Sequence, residues 1–290
     1  MDGRVPAFVK DGLWKFEGQM RRKTVRLNER RILIRGAGDM ATAVGWRLHM
    51  AGFPVVMTEV ARPLAVRRRV SFCEAVWDGK AEVEGLRARL IEGPAEAAPV
   101  QAGGEIPVLV DPNLDGLEEL GADVLIDATL AKKNLGVSKE LAPLVIGVGP
   151  GFCAGVDVHM VVETKRGHNL GRVILKGEAH PNTGVPGVVG GYASERVLRA
   201  PADGVFEAKI RLGDRVSAGQ VVASVFGEEL QTAIDGVVRG LIRPGLTVEK
   251  GLKVGDVDPR GDLSFVDTIS DKGRAVAGGV LEAILRVYNR

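Results

Sequence analysis

The strongest constraint on the fold is a gapless internal repeat in the last third of the chain. Asp203-Gly204-Val205 recurs as Asp235-Gly236-Val237, and every further matched pair is also 32 residues apart. These pairs are Ile210 with Ile242, Arg211 with Arg243, Gly213 with Gly245, Val216 with Val248, Gly219 with Gly251 and Val222 with Val254. Each copy has the pattern of three strands and two turns, and one copy alone is too small to bury an apolar face. The repeat therefore predicts a small all-β module at residues 196–262 in which two copies interlock.

The first half of the chain has a different pattern, in which short apolar strands alternate with helices. A strand at 31–35, a helix at 41–50 and a strand at 53–59 make a βαβ unit. A second helix is predicted at 63–77, a hairpin at 81–91, and further strands at 106–111, 124–127 and 144–148. Short strands rich in β-branched residues are typical of a parallel sheet covered on both faces. We therefore expect an α/β fold, with a Rossmann-like parallel sheet domain at residues 31–195.

Glycine supplies 39 of the 290 residues, and the segment 147–191 is especially rich in it. Within that segment, residues 156–164 alternate like a half-buried strand, and 172–176 is its predicted partner. Residues 263–290 are expected to form a C-terminal strand and helix that pack back on the body. Gly278 and Gly279 lower the helix propensity there, which indicates close packing against another element.

Charge and composition exclude several classes of protein. The net charge is +2, and residues 1–31 hold 9 basic and 4 acidic residues, so the remaining chain is nearly neutral. We expect residues 1–30 to be a flexible basic extension, and the neutral body argues against nucleic-acid binding. No apolar run reaches the roughly 18 residues of a membrane span, and no secretory signal is evident. Two cysteines cannot form a disulfide framework, so we expect a cytoplasmic protein that binds no membrane.

A glycine motif stands where a dinucleotide fingerprint is expected. Gly36-x-Gly38-x-x-Ala41 follows a strand and opens a helix, whose free N–H groups can bind an anion. Glu59 ends the next strand, at the place of a ribose-binding acid. Asp39, however, would repel a bound phosphate. Two interpretations stay open: a nucleotide-type ligand held by Gly36, Gly38, Asp39, Ala41 and Glu59, or a similar fold with no nucleotide or with another anion.

Further candidate residues follow other strand ends. Lys132, Lys133 and Asn134 come after the strand at 124–127 and could contact the same ligand, although an ordinary solvated surface would look alike. Cys153 follows the strand at 144–148. Its thiolate would suit a soft atom such as sulfur, selenium or molybdenum, or would act as a nucleophile, whereas a small buried cysteine is the alternative.

Asp157 and His159 share one face of the predicted strand at 156–164 with Glu163. Such a face suits acid–base work or metal binding, and a solvated sheet face is the alternative. Together with Cys153, we take Asp157 and His159 as candidate catalytic residues. Strand rise puts Glu163 roughly 13 Å beyond His159, so a single tight site cannot use all three residues and no metal is assigned.

Several motifs together resemble the accessory proteins of the selenium-dependent molybdenum hydroxylase system. They are Arg35-Gly36-Ala37-Gly38-Asp39, Leu64-Ala65-Val66-Arg67-Arg68, Leu130-Ala131-Lys132-Lys133-Asn134-Leu135-Gly136, Gly149-Pro150-Gly151-Phe152, Asp157-Val158-His159, Arg166-Gly167-His168, Asn182-Thr183-Gly184-Val185-Pro186-Gly187 and Thr268-Ile269-Ser270-Asp271-Lys272. The resemblance runs from residue 31 to the end. It implies an accessory or maturation factor that handles a nucleotide-like or molybdenum-cofactor-like ligand. Its partners would be a molybdenum hydroxylase, other maturation factors or a second copy of the chain. The resemblance indicates a pathway and no reaction, so whether the chain is an enzyme stays open.

The repeat separately resembles a biotinyl/lipoyl-type barrel-sandwich. Carrier proteins of that type present a lysine on the hairpin between the two halves, and here the hairpin at 226–232 has none. We therefore expect no covalent biotin or lipoyl group, and a structural or docking role instead. Two alternatives to a maturation factor remain: an NAD(P)-dependent oxidoreductase, because of the glycine motif, and a non-enzymatic docking scaffold, because of this module.

Overall fold

A computed structural model describes residues 7–9, 13–15 and 26–289, and shows a mixed α/β protein. Strands β1 (Ala7–Val9) and β2 (Leu13–Lys15) pair as a small antiparallel ribbon, and a 3₁₀ turn follows at Leu27–Glu29. The predicted flexible extension at 1–30 otherwise lies outside the described residues. The predicted α/β class is confirmed, because a large sheet of mainly parallel strands makes up the centre of the chain.

Nine strands form this large sheet, and two more form a small ribbon beside it. In chain order the strands are β3 (Ile32–Arg35), β4 (Val55–Glu59), β5 (Lys80–Val83), β6 (Leu86–Ile91), β7 (Ile106–Val110), β8 (Val124–Asp127), β9 (Leu144–Val148), β10 (Cys153–Ala154), β11 (Met160–Val162), β12 (Val173–Ile174) and β13 (Gly177–Glu178). The sheet order is β12-β11-β9-β8-β3-β4-β7-β6-β5, and β10 pairs with β13. All neighbours are parallel except the two outermost pairs.

The order of strands places a crevice at one edge of the sheet. From β3 the chain moves to β4 on one side, and later returns to β8 on the other side of β3. The loops that follow β3 and β8 therefore diverge at their carboxyl ends. In open α/β sheets, ligands bind at this kind of switch point.

The helices cover the sheet more sparsely than the sequence predicts. They are α1 (Asp39–Met50), α2 (Ala75–Asp78), α3 (Ala97–Ala102), α4 (Leu117–Leu120), α5 (Ser264–Asp267) and α6 (Asp271–Tyr288). Helix α1 and helix α6 pack on each other and on one face of the sheet, where Val44, Ile126 and Ile284 are fully buried. A second buried cluster covers the opposite face.

Three predicted elements differ in the structure. The predicted helix at 63–77 is wrong: 3₁₀ turns at Arg68–Val70 and Phe72–Glu74 precede the short α2, because tertiary partners take the backbone groups. The N–H of Leu241 donates to the carbonyl of Val66, and the N–H of Phe72 donates to the Thr42 hydroxyl.

The predicted strand at 156–164 shortens to β11, because the Asp157 side chain closes a turn on the N–H of Cys153. Within 263–289 the chain forms helices α5 and α6 and no strand, because the Asp262 carboxylate accepts from the N–H and hydroxyl of Ser264 and starts a helical turn.

The duplicated segment forms two four-stranded antiparallel sheets with a core of their own. Its strands are β14 (Val197–Arg199), β15 (Gly204–Ala208), β16 (Arg215–Val216), β17 (Val221–Val225), β18 (Glu228–Gln231), β19 (Gly236–Leu241), β20 (Thr247–Val248) and β21 (Lys253–Asp258). The sheet orders are β14-β21-β19-β16 and β18-β17-β15-β20. The short strand of each copy thus pairs with a long strand of the other, so each copy completes a sheet of its twin and buries the shared core.

Two adjacent glycines of helix α6 have different surroundings. The Ser270 hydroxyl caps its start by accepting from the N–H of Gly273. At Gly279 an added Cβ would overlap the carbonyl oxygen of Gly171, whereas at Gly278 it would meet open space. The close approach that the sequence predicts for this pair therefore rests on Gly279.

We expect Gly279→Ala to lower the free energy of unfolding by about 1–3 kcal/mol, because overpacking must displace the backbone at Gly171. The matched control Gly278→Ala should raise it by about 0.5–1 kcal/mol, since only helix propensity changes there. Urea unfolding followed by circular dichroism measures both. Equal effects of the two substitutions would contradict the close contact.

Candidate functional site

Four loops meet at the carboxyl ends of the parallel strands. They span residues 36–39 after β3, 128–133 after β8, 149–151 after β9 and 163–166 after β11. An added Cβ at Gly36 would lie 3.2 Å from the carbonyl oxygen of Ala128, and one at Gly151 would lie 2.7 Å from the N of Lys133. At Gly149 it would lie 2.8 Å from Oγ1 of Thr164. These glycines therefore let the loops pack closely at this edge, and we call the region where the four loops meet the carboxyl-edge crevice.

The predicted glycine motif opens onto this crevice. Helix α1 begins at Asp39 with Gly38 at its N-cap position, and no side chain caps it. Its first backbone N–H groups are thus open to an anion, and the helix dipole favours one. Ala41 is fully buried, which lets the helix lie close to the sheet. The predicted ligand site at Gly36, Gly38, Asp39 and Ala41 lies at this open helix start, and ligand binding there stays a prediction.

Glu59 lies at the same edge but is engaged by the loop itself. Its Oε2 accepts from the N–H of Ala37 at 2.9 Å, and its Oε1 accepts from the N–H of Val60 at 2.7 Å. Burial raises the pKa of Glu59, and these two hydrogen bonds oppose the rise. The carboxylate fixes the glycine loop, and its ribose-binding role stays a prediction.

A buried ion pair supports the loops from beneath. Arg35 donates from Nη1 to Asp127 and to the carbonyl of Leu135, and from Nε and Nη2 to the carbonyl of Pro112. The other Asp127 oxygen accepts from the N–H and hydroxyl of Thr129. A buried charge without partners would be costly, so these hydrogen bonds are needed to keep the ion pair in place. Through them the ion pair fixes the backbone of three loops, at Pro112, Thr129 and Leu135.

The predicted cluster at 132–134 divides into two roles. Lys132 and Lys133 are exposed beside Gly151. Lys132 has the left-handed backbone conformation, with φ of 64°. Asn134, in contrast, accepts from the N–H of Val137 and donates to its carbonyl, each at 2.7 Å. It closes a turn rather than presenting its amide to the crevice.

Of the three predicted catalytic residues, Asp157 and Cys153 contact each other, whereas His159 is hydrogen-bonded to the backbone of β9. His159 is buried, and its Nδ1 accepts from the N–H of Val145, early in β9. That position is about 10 Å along the strand from the carboxyl edge. Burial lowers the pKa of His159, and Lys139 lowers it further, so the imidazole is neutral. Asp157 bonds to the backbone of Cys153, and Cys153 pairs in register with Glu178 of β13.

Sequence reasoning missed a group of cations at the junction of the large sheet, α6 and the duplicated module. Asp39 is near enough to Arg67, Lys253 and Lys272 to oppose the lowering of each pKa. We call the whole group the junction cluster. Its cations are Arg67, Arg166, Arg196, Arg239, Lys253, Arg260 and Lys272, and its carboxylates are Asp39, Asp256, Asp258 and Asp271.

Most of these carboxylates already have cationic partners. Asp256 pairs with Arg196, Arg239 and Lys253, and Asp258 pairs with Arg239 and Arg260. Asp271 pairs with Arg166. The cations outnumber the carboxylates, and the excess lies around Asp39 at the start of α1. Such an excess of half-buried positive charge is a binding environment for an anion.

Burial has the largest effect on the pKa of each of the three cations on which Asp39 acts. It lowers the pKa of Arg67, with Arg239 acting in the same direction. It also lowers the pKa of Lys253 and that of Lys272. Arg67 is 9% exposed, and its Nε has no hydrogen-bond partner within the described part of the chain. An anion placed among these groups would relieve their mutual repulsion.

A second feature that the sequence did not single out is a histidine–carboxylate pair. Glu163 is almost fully buried just after β11, and its Oε2 accepts from both the N–H and Nδ1 of His180, each at 2.8 Å. His180 is exposed beside a cavity of about 550 Å³. Within residues 26–289, no group of three or more His, Cys, Asp and Glu side chains is arranged to hold a metal ion.

Some signal for these groups was present in the sequence. Arg67 and Lys272 lie inside two of the motifs that carry the family resemblance. The run Arg67-Arg68-Arg69 follows a predicted strand and suggests phosphate contacts or an ordinary solvated face. Glu163 belongs to the predicted strand face with Asp157, and His180 begins a polar, glycine-rich stretch at 180–187. Nothing in their spacing places 67, 253 and 272 together.

Comparison with known proteins gives one sequence relative and distant structural neighbours. No protein-family profile matches the chain. An uncharacterized protein YqeB of Escherichia coli (strain K12) is 48% identical over 259 residues, which cover 89% of this chain and 48% of the relative. The chain thus spans about half the length of that curated relative. No helix of residues 26–289 combines the length and apolar character needed to cross a membrane.

Among solved structures, an aspartoacylase family protein from Mesorhizobium loti has a TM-score of 0.25 and 11% identity, covering 79% of this chain and 85% of its own. The ectoine utilization protein EutE from Ruegeria pomeroyi, with product bound, has a TM-score of 0.24 and 13% identity, with the same coverage of 79% and 85%. Scores this low support no inference about fold or function.

The Arg166–Asp271 pair predicts a pH dependence of stability. The side-chain hydrogen bond from Arg166 lowers the pKa of Asp271 to about 2. Because the folded-state pKa is depressed, the stabilisation is complete above the unfolded pKa of about 4 and is lost as the pH falls toward 2. We expect Asp271→Asn to unfold at a lower temperature than the wild type at pH 6, and the difference to shrink toward pH 2. The control Asp115→Asn, at an exposed loop position, should show no such convergence in thermal melts.

Proposed function

We propose that the chain binds an anionic, phosphate-bearing small molecule in the carboxyl-edge crevice. We propose further that it does so as an accessory factor in the maturation of a selenium-dependent molybdenum hydroxylase. The observation that carries the binding proposal is the excess of positive charge around Asp39 at the open start of α1. Half-buried cations are costly where their charge is incompletely compensated, and a bound anion lowers that cost.

The cation excess removes an objection raised by the sequence. A lone Asp39 beside the glycine motif would repel a phosphate. In the structure, Arg67, Lys253 and Lys272 act on the same carboxylate, so the local field is positive overall. A phosphate can then accept from the first N–H groups of α1 and from the two lysines. This chemistry suits a nucleotide-like or molybdenum-cofactor-like ligand, both of which carry phosphate.

The pathway rests on the family resemblance, and the positions of its motifs support it. The segments Arg35–Asp39, Gly149–Phe152 and Thr268–Lys272 are far apart in sequence. In the structure the first two bound the carboxyl-edge crevice, and the third supplies Asp271 and Lys272 to the junction cluster. Motifs that gather at one place are expected when they serve one ligand.

The ligand should be detectable on protein purified gently from its host. We expect mass spectrometry to find a copurifying nucleotide or pterin, and elemental analysis to test for molybdenum and selenium. The variant carrying Lys253→Ala and Lys272→Ala should lose the ligand, whereas Lys250→Ala, an exposed lysine of the same module, should keep it.

A direct titration gives the same test without a native ligand. Inorganic pyrophosphate should raise the melting temperature of the wild type and of Lys250→Ala, because binding to the folded state stabilises it. The double variant should show little rise. Bound or stabilising NAD(H) would instead favour the oxidoreductase alternative. Absence of any ligand, together with no response to pyrophosphate, would overturn the binding proposal.

One observation favours the docking scaffold as a second function. We propose that the two interlocked sheets form a barrel-sandwich that docks a partner through the hairpin of β17 and β18. Phe226 at the tip of that hairpin is 84% exposed and has a left-handed φ of 51°. A bulky exposed side chain in that conformation is unfavourable for the isolated chain, so a contact partner is a physical reason to keep it.

Capture of the hydroxylase from a host lysate tests this second function. We expect Phe226→Ser to reduce capture several-fold while leaving the melting temperature nearly unchanged, because the side chain is 84% exposed in the free chain. Leu263→Ser, at another exposed apolar position, is the matched control and should capture normally. The variant combining Cys153→Ala with Gly38→Glu should also capture normally if docking is independent of the crevice. Equal capture by Phe226→Ser and the wild type would exclude this hairpin.

A further inference from the structure

The pair formed by Glu163 and His180 has the geometry of an oriented base. The two Glu163 oxygens receive four hydrogen bonds, from the N–H groups of Thr164 and Lys165 and from the N–H and Nδ1 of His180. Burial alone raises the pKa of Glu163, but these hydrogen bonds outweigh it and hold the pKa below its usual value. The carboxylate is therefore ionised at neutral pH and can only accept.

The ionised carboxylate determines which ring nitrogen of His180 carries the proton. Since Oε2 accepts, Nδ1 must donate, and in the neutral ring Nε2 then has a free lone pair. The His180 backbone N–H bonds to the same carboxylate, so the residue is held through its backbone and through one ring nitrogen. The side chain of His180 nevertheless stays 50% exposed, so Nε2 is open to a reactant.

A cavity adjoins this pair, and three cations and three carboxylates lie among the residues that line it. Its volume is about 550 Å³, and Arg172, Lys176 and Glu178 line it with Glu163 and His180. Glu282 and Arg286 also line it, but they pair with each other. Lys272 of the junction cluster lies close enough to Glu163 for the negative charge of Glu163 to raise the pKa of Lys272. The pair therefore lies between this cavity and the cluster that we propose to hold an anion.

We propose that His180 is a general base, oriented by Glu163, for proton transfer from an anionic substrate that lies in the adjoining cavity. In this step the Nε2 lone pair takes a proton from a hydroxyl, thiol, selenol or bound water of the substrate. The resulting imidazolium is stabilised by Glu163 and returns its proton to solvent through the exposed side of the ring. No oxidant or reductant is needed. The anionic class of the substrate rests on the proposed function, whereas the base itself does not.

Carbethoxylation measures the reactivity of Nε2 without a known substrate. The Nε2 lone pair attacks a carbonyl carbon of diethyl pyrocarbonate, a C–O bond breaks, and ethanol and carbon dioxide leave. His168 is exposed and has no carboxylate partner among the described hydrogen bonds, so it is an internal control in the same chain. At about pH 8, where imidazoles are neutral, peptide mapping should show His180 reacting about tenfold faster than His168.

The variant Glu163→Gln tests the role of the carboxylate. Its amide can donate to Nδ1 and shift the proton to Nε2, so His180 should fall to the rate of His168 or below it. Nitrogen-15 NMR of the wild type gives a test that needs no variant, because it should assign the proton to Nδ1. A proton on Nε2, or equal rates for His180 and His168 in the wild type, would overturn the assignment of His180 as the base.

Protection by inorganic pyrophosphate tests the substrate class. We expect it to slow modification of His180 several-fold and to leave His168 unchanged. If pyrophosphate stabilises the protein but does not slow His180, an anionic substrate beside His180 is excluded while the anion site at Asp39 stands. If pyrophosphate does not bind at all, the proposed function fails, and the rates measured without it still decide whether His180 is an oriented base.

Discussion

The buried guanidinium of Arg67 joins the three parts of the chain that meet at the crevice. Arg67 follows β4 of the large sheet, and its Nη2 donates to the carbonyls of Phe265 and Thr268, just before α6. Next to it, the carbonyl of Val66 accepts from Leu241 of the duplicated module. Arg68 donates to the carbonyl of that same Leu241. The module and the start of α6 are thus held against the sheet where the crevice opens, so the placement of Lys253 and Lys272 depends on this junction.

The positive charge buried at this junction is only partly compensated by carboxylates. Burying an ion costs several kcal/mol unless partners replace water. The inner pairs meet this condition, since Asp256 accepts from both Arg196 and Arg239. Toward Asp39 the compensation is weaker. Arg67 donates to two carbonyls and Lys253 pairs with Asp256, yet burial still lowers the pKa of Arg67, of Lys253 and of Lys272. This weakly compensated side is the side that contains the free N–H groups at the start of α1.

The duplicated module could be predicted from sequence because its signal is local and repeated. Val205 and Val237 occupy equivalent strands, and a gapless 32-residue spacing leaves one register for both copies. The parallel strands were predictable for a similar reason, since each is a short apolar run. The helix predicted at 63–77 fails because distant groups, such as the N–H of Leu241, take its backbone partners. The junction cluster could not be predicted, since Arg67, Lys253 and Lys272 are brought together only by the tertiary fold.

Two of the histidines in the glycine-rich segment, His159 and His180, show how position on the sheet changes what one residue type does. His159 lies near the amino end of β9, where its Nδ1 accepts from a backbone N–H. Its proton is therefore on Nε2, burial keeps the ring neutral, and the side chain completes the hydrogen bonding of the strand. His180 lies at the carboxyl end of β11, where its Nδ1 meets a carboxylate instead. The proton is then on Nδ1, and the free lone pair faces outward. A loop at the carboxyl edge needs no ladder hydrogen bonds from its side chains, so its histidine is available for chemistry. The sequence pattern favoured His159 as a catalytic residue because it alternates with apolar residues. That alternation, however, is typical of a residue that lies within the sheet.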